Sequence, residues 1–255
     1  MTLVLKPGYS FDSDASTYID AVETADGLAL ETGVRVAIND FVLGCKQDEI
    51  WDAINACCIL AGARTTNGAL IPLVGTAPTP NNFDLVGDTD YDRKTGLKGD
   101  GSTKYLDSNG TAATLTQQNS AHIAVYLSDT IGDTSLAGLI DSTSGWLWLR
   151  GDLNYAINNQ PTVTSTFAGL GLVGGSRSNN STVTTRARRI SNTVSATSSQ
   201  ASNLPVCIFA INVNNSVADY TLSRLAFYSI GESLDLAALD TRVSNLITAI
   251  GAAIP

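Results

Sequence analysis

A chain of 255 residues with a net charge of −9 and only 15% charged residues is long enough to bury a large core without disulfide or metal staples. Asp and Glu outnumber Lys and Arg by 24 to 15, an imbalance that repels a phosphate backbone and argues against nucleic acid as a partner. The opening "MTLVLKPGYS" lacks the apolar core of a signal peptide, and the longest apolar run, "ACCILAGA" at 56–63, is too short to span a bilayer, so no membrane insertion is expected.

Residues 1–13 read as an extended tail, and three short helices are predicted between 14 and 62. The first, "SDASTYIDAVETADG", has Ser13 or Asp14 as a cap, Tyr18, Ile19 and Val22 on one side, and Gly27 to stop it. The second, "ETGVRVAINDFVLGCK", carries Val34, Ile38, Phe41, Val42 and Cys45 as a helical stripe. The third, "QDEIWDAINACCILAG", would begin at Asp48, run Ile50, Trp51, Ile54, Cys57 and Cys58 along one face, and meet Gly62 at its end. Helices this short need partners. They would pack on one another, on the following domain, or on a neighbouring subunit.

The four cysteines, Cys45, Cys57, Cys58 and Cys207, fit no metal-ligand spacing, and no metal or other cofactor is expected. Cys45, Cys57 and Cys58 have two readings: buried free thiols, or inter-subunit disulfides formed in an oxidising medium.

"PLVGTAPTPNN" at 72–82 describes an extended connector. Residues 14–84 are therefore expected to form a helical segment with its connector, and 85–255 a separate domain. In that domain "HIAVYLS" alternates Ile123, Val125 and Leu127 against His122, Ala124 and Tyr126, and "GWLWLRG" alternates Trp146 and Trp148 against Leu147 and Leu149. "TVTTRARRIS" at 182–191, "PVCIFAINV" at 205–213 and "RLAFYSIG" at 224–231 continue the strands between polar turns. No helices intervene, which predicts a mainly β fold: an antiparallel sandwich or jelly roll. Leu236, Leu239, Val243, Leu246 and Ile250 then mark an amphipathic helix, capped by Ser233 and followed by Gly251, that docks back on the body.

"TGLKGDGSTKYLDSNG" at 95–110 is no phosphate loop, lacking GxxxxGK[ST] and a following apolar helix. Asp88, Asp90 and Asp92 begin like a calcium loop, but Arg93 stands where the glycine of position six belongs and Gly99 where the bidentate acid belongs. What remains is a tight turn at Gly99-Asp100-Gly101 with positive φ, delivering Lys104 to Leu106 as a strand.

"LKGDGSTKYLDSNG" resembles the opening strand of laminin-G-like, concanavalin A-like jelly rolls, and "RLAFYSIGESLDLAALDTRVSNLI" resembles their closing strand, glycine turn and leucine-rich helix. The phrases "GDGSTKYLDSN" and "RLAFYSIGESLDLA" are also similar to those of bacteriophage virion proteins that carry such a domain, and "PLVGTAPT" to the lead-in of the same group. The resemblance covers about residues 85–250. It implies a jelly-roll domain used for attachment, to glycans or to other particle proteins, in a chain made in the host cytoplasm and located in the virion.

Catalysis finds little in these residues. His122 is the only histidine and sits on an alternating strand, no GxSxG occurs, and Glu23, Glu31, Glu49 and Glu232 are scattered. For glycan binding the candidates are Trp146, Trp148 and Arg150, which share one strand face and offer stacking planes with a bidentate donor. The competing reading puts both tryptophans in the sandwich core, because alternation does not say which face is inside. Arg186 and Arg188 likewise share a face, with Arg189 opposite, for a solvated surface or an inter-subunit ion pair. The expected role is a non-enzymatic structural component of a phage particle, as surface decoration, neck, collar or fibre. Its partners would be other virion proteins and copies of itself, and the alternative is a lectin-like module binding host surface polysaccharide.

Overall fold

The computed structural model describes residues 10–129, 132, 134–151, 154–160, 162–164 and 169–255. Residues 1–9 of the expected tail lie outside the described residues. The helices are α1 (Ser13–Asp26), α2 (Thr32–Gln47), two single turns α3 (Thr66–Ala69) and α4 (Ala112–Leu115), and α5 (Leu236–Ala253). The first strands are β1 (Ile54–Ile59), β2 (Thr79–Asn81), β3 (Tyr91–Asp92), β4 (Gly96–Lys98), β5 (Tyr105–Thr111) and β6 (Ala121–Asp129). There follow β7 (Ser135–Ile140), β8 (Trp146–Arg150), β9 (Asn154–Asn159), β10 (Val163–Thr164), β11 (Gly171–Arg177) and β12 (Thr182–Ala187). The last are β13 (Ile190–Ser195), β14 (Pro205–Ile208), β15 (Ile211–Val213), β16 (Ser216–Ala218) and β17 (Arg224–Gly231).

The strands build two sheets in a jelly-roll-like β-sandwich. One runs β13-β12-β11-β6-β17-β4-β3, with β1 also paired to β17; the other runs β10-β9-β8-β7-β14-β5-β2, with the β15-β16 hairpin attached at β7. Pairing is antiparallel except between β15 and β7, which run parallel. Two cores result. Leu106, Ile123, Val125, Leu147, Leu149, Ile157, Phe209, Leu225, Tyr228 and Ile230 fill the space between the sheets. Val34, Ile38, Phe41, Cys57, Ala124, Phe227, Leu239, Val243 and Ile250 fill a second space between the first sheet and the helices.

This helical layer explains why β6 and β17 are buried on both faces instead of alternating with solvent. α2 and α5 pack closely: a methyl on Gly33 would lie 2.7 Å from Ala253 Cβ. Arg242 Nε then meets Asp48 Oδ2 at 2.7 Å across the helix ends. Gly27, at φ 66, ends α1 as expected, although the cap is Asp12, whose carboxylate accepts from the Asp14 N–H. The apolar stripes of α2 and α5 are buried as predicted.

The third helix does not form. Past α2 the chain reverses at Glu49, φ 59, makes one 3-10 turn at Trp51–Ala53 and enters β1. Cys57 and Ile59 face the helices while Ala56 and Cys58 face the other sheet, so both sides of this strand are apolar. Its backbone pairs with β17 from Ile54↔Gly231 to Ile59↔Phe227. The division expected near residue 85 therefore does not separate two packing units: β1 belongs to one sheet and β2 pairs with β5 in the other.

The glycine-rich stretch is a turn. Asp100 accepts from the backbone N–H groups of Ser102, Thr103 and Lys104 at 2.8–3.0 Å, Gly101 takes φ 72, and β5 starts at Tyr105. "PVCIFAINV" is two strands and not one, broken at Phe209, φ 71. "TRARRIS" is broken as well, since Ala187 pairs with Ile190 and Arg188-Arg189 forms a two-residue hairpin loop.

Candidate functional site

β8 lies inside its sheet between β7 and β9. Leu147 faces Leu139 and Ile157 in the ladder, and Leu149 faces Ala137 and Tyr155. These six residues are fully buried, so period two sends Trp146, Trp148 and Arg150 to the outer face. The core reading for the tryptophans is thereby overturned: the leucines fill the core, and the three candidates share an outer surface, each half-buried.

That surface is held in place by bonds absent from any sequence motif. Trp148 Nε1 donates to Ser135 Oγ at 2.8 Å, and Ser135 Oγ donates to Asp219 Oδ2 at 2.7 Å. Asp219 in turn meets Arg150 Nε at 3.4 Å, and the Arg150 guanidinium stands 6.0 Å from the Trp148 ring centroid. The circuit closes on itself. Beside Trp148 the ladder neighbours are Gly138 and Ala156, which leave no long side chain next to the indole.

Trp146 Nε1 donates to the Asp141 carbonyl at 2.9 Å, as does Gln160 Nε2. The Asp141 carboxylate accepts from Thr143 and Ser202 and from Ser144. Burial raises its pKa, but the bonds from Ser144, Ser202 and Thr143 outweigh it and hold the carboxyl well below the usual carboxylate range. Two indoles and a guanidinium are thus presented by a sheet on fixed rotamers. Such a set can stack on the apolar face of a sugar ring or anchor a protein contact.

The other sequence candidates are not brought together here. Cys45, Cys57 and Cys58 are free thiols with no exposed surface, which places them as the buried thiols of the first reading and leaves their sulfurs inside the fold, where an inter-subunit disulfide would require the chain to open. Burial pushes the thiols of Cys45 and Cys58 up to about 12 and that of Cys57 well above its ordinary value. His122 is fully buried; its Nδ1–H donates to the Glu232 carbonyl and its Nε2 accepts from Ser229 at 2.7 Å. Burial pushes its pKa down to about 4.

The carboxylates of the aspartate run are occupied within the fold: Asp88 accepts from Thr66 N–H, Asp90 pairs with Lys104, and Asp92 accepts from Lys94 and Thr95 N–H groups. Among the described residues no group of three His, Cys, Asp or Glu is placed to hold a metal ion, and no helix is long and apolar enough to cross a membrane.

Arg186 turns inward to Asp240 of α5 at 2.7 Å, which corrects its reading as a solvated or inter-subunit group. Arg188 and Arg189 occupy the hairpin loop at φ 50 and 63. For residues with a Cβ this costs on the order of 1 kcal/mol each. Both are exposed at the mouth of a cleft that also receives Lys94.

No protein-family model matches the chain, and no curated protein matches it. Among solved structures it is similar to the crystal structure of a mutant of HCR/D, at 10% identity and a TM-score of 0.45 over 75% of this chain. The chain spans about half the length of that structure, 50% of which is covered.

Proposed function

We propose that this protein is a structural component of a bacteriophage particle, as surface decoration, neck or fibre, working by contact and not by catalysis. The phage assignment rests on the phrases around Asp100 and β17. The contact role rests on one observation: the outward ladder of Trp146, Trp148 and Arg150, braced by Ser135 and Asp219. Aromatic and arginine side chains fixed on a rigid sheet are the anchors that protein interfaces use. The buried His122 and buried thiols, each committed to the interior, leave those groups no route to an external substrate.

The test is made on purified particles of the parent phage. The protein should be present in stoichiometric copies, and Trp148→Ala should lower its incorporation without lowering the melting temperature of the free protein by more than a few degrees. Absence from mature particles with abundance in host cytosol would defeat the proposal. The lectin-like alternative draws on the same outward indoles. It is favoured instead if the isolated protein binds host polysaccharide, if Trp148→Ala abolishes that binding, and if incorporation is unaffected.

A further inference from the structure

A cleft of about 390 Å³ opens between the end of β6, the start of β11, the β12-β13 hairpin and α5. Leu172 and Ile247, both buried, and the half-buried Tyr126 give it an apolar floor, while Lys94, Arg188 and Arg189 stand round it. Among the described residues that line it the one acid, Asp240, is 3% exposed and already engaged by Arg186. Among the described residues none of the three cationic groups has a hydrogen-bond or ion-pair partner. Arg189 also lines an adjoining hollow of about 180 Å³ beside Thr241 and Asn245. Three cations with no partner among the described residues thus converge on one cleft in a chain whose net charge is −9.

The hairpin loop makes the arrangement more telling. A two-residue loop with positive φ at both positions is built without strain from Asn-Gly. Here those positions carry Arg188 and Arg189, and the Arg188 stem lies so close over Gly169 that a methyl there would come within 2.3 Å of it. Local preference is set aside at the two residues that bring charge to the cleft, which is where a binding function overrides foldability.

We propose that this cleft binds an anionic saccharide, a carboxylated or phosphorylated sugar unit. The guanidinium groups suit a planar carboxylate or a phosphate, and the Tyr126, Leu172 and Ile247 floor suits the C–H face of a pyranose ring. A bare inorganic anion would leave that floor unused. The volume lies at the small end of ligand pockets, which fits a sugar unit and not an extended chain. The site is on the opposite sheet from Trp148 and does not rest on the contact role proposed above.

Calorimetric titration of the full chain tests it, using a uronic-acid oligosaccharide, a sugar phosphate, a neutral oligosaccharide and inorganic phosphate as separate probes. At least one acidic saccharide should bind, more weakly as salt is raised, with the neutral sugar and inorganic phosphate about tenfold weaker or worse. The double variant Arg188→Asn/Arg189→Gly should lose about tenfold or more in affinity while its Tm stays the same or rises, because Asn-Gly relaxes the loop. Lys94→Gln should lose less, and Trp148→Ala should bind like the wild type. The proposal is overturned if neither acidic saccharide binds, if the neutral sugar or inorganic phosphate binds as well, or if the Asn-Gly variant binds as tightly as the parent.

Discussion

Replacing His122 by Gln should remove a defined part of the protein's sensitivity to acid. The imidazole is fully buried between Ser229 and the Glu232 carbonyl, and burial brings its pKa from an ordinary 6.5 down to about 4. The unfolded chain therefore takes up a proton before the folded one does. Stability from this group is complete above about pH 6.5 and is lost as pH falls toward 4, by about 2 kcal/mol at about pH 5 and about 3 kcal/mol at the limit. Carboxylates whose pKa values are lowered, such as Asp84, brought to about 2 by the Gly87 N–H and Thr89 hydroxyl, also lose stability as pH falls, but only below about pH 4, where unfolded carboxylates take up protons. As the sole histidine, His122 has the window above them to itself. A glutamine keeps one donor and one acceptor and should cost about 1 kcal/mol near neutrality. Urea unfolding at about pH 7.5, 6 and 5 gives the comparison: the wild type should lose about 2 kcal/mol across that range and the variant little. Equal losses in both proteins would refute the argument.

Three further outcomes are open to measurement. Gly231→Ala would place a methyl 2.0 Å from the Ala53 carbonyl oxygen and 2.9 Å from the Asn55 nitrogen, and should lower unfolding stability by about 2–3 kcal/mol because the atoms it meets are backbone and cannot swing aside. Arg177, fully buried on β11, donates to the carbonyls of Ile157, Asn179 and Ala196; Arg177→Met should cost about 3 kcal/mol by stranding them, with Lys recovering part of the loss in chemical denaturation. A thiol reagent added to the native protein should label none of Cys45, Cys57, Cys58 and Cys207, all 2% exposed or less, and should label all four after unfolding; fast native labelling would contradict the buried positions.

Elements whose partners were local were legible in the sequence. α1, α2 and α5 carry apolar stripes of period 3.6, and every residue of those stripes is buried, along with small or polar neighbours such as Ala37, Asn39 and Ser244 that the pattern does not mark. β1 was not legible, because "INACCI" is apolar on both sides and Ile54, Cys57 and Cys58 satisfy helical spacing as readily as a doubly covered strand. Only the distant β17 decides between them. At the candidate site, alternation put Trp146, Trp148 and Arg150 on one face, yet which face looks outward depends on the opposite sheet. The bracing residues Ser135 and Asp219 are 84 apart in sequence, and no motif ties them to Trp148. The turn at Arg188-Arg189 is not legible in the sequence, because an Arg pair is no turn signal. The clue was the pair of similar six-residue runs on either side of it.

The pairing of β1 with β17 also sets the order in which the chain can be finished on the ribosome. Cys58 Sγ and the Tyr228 hydroxyl that meets it at 3.3 Å are separated by 170 residues. The strand that β1 needs as a neighbour is thus synthesised after nearly all the rest of the sandwich. Until then β1 lacks its β17 neighbour and leaves that backbone edge unpaired, a state that invites aggregation or chaperone capture. Premature termination before residue 224 should therefore yield insoluble product and not a smaller soluble sandwich, whereas a shortened chain that keeps β17 and α5 retains what is needed to close the sheet.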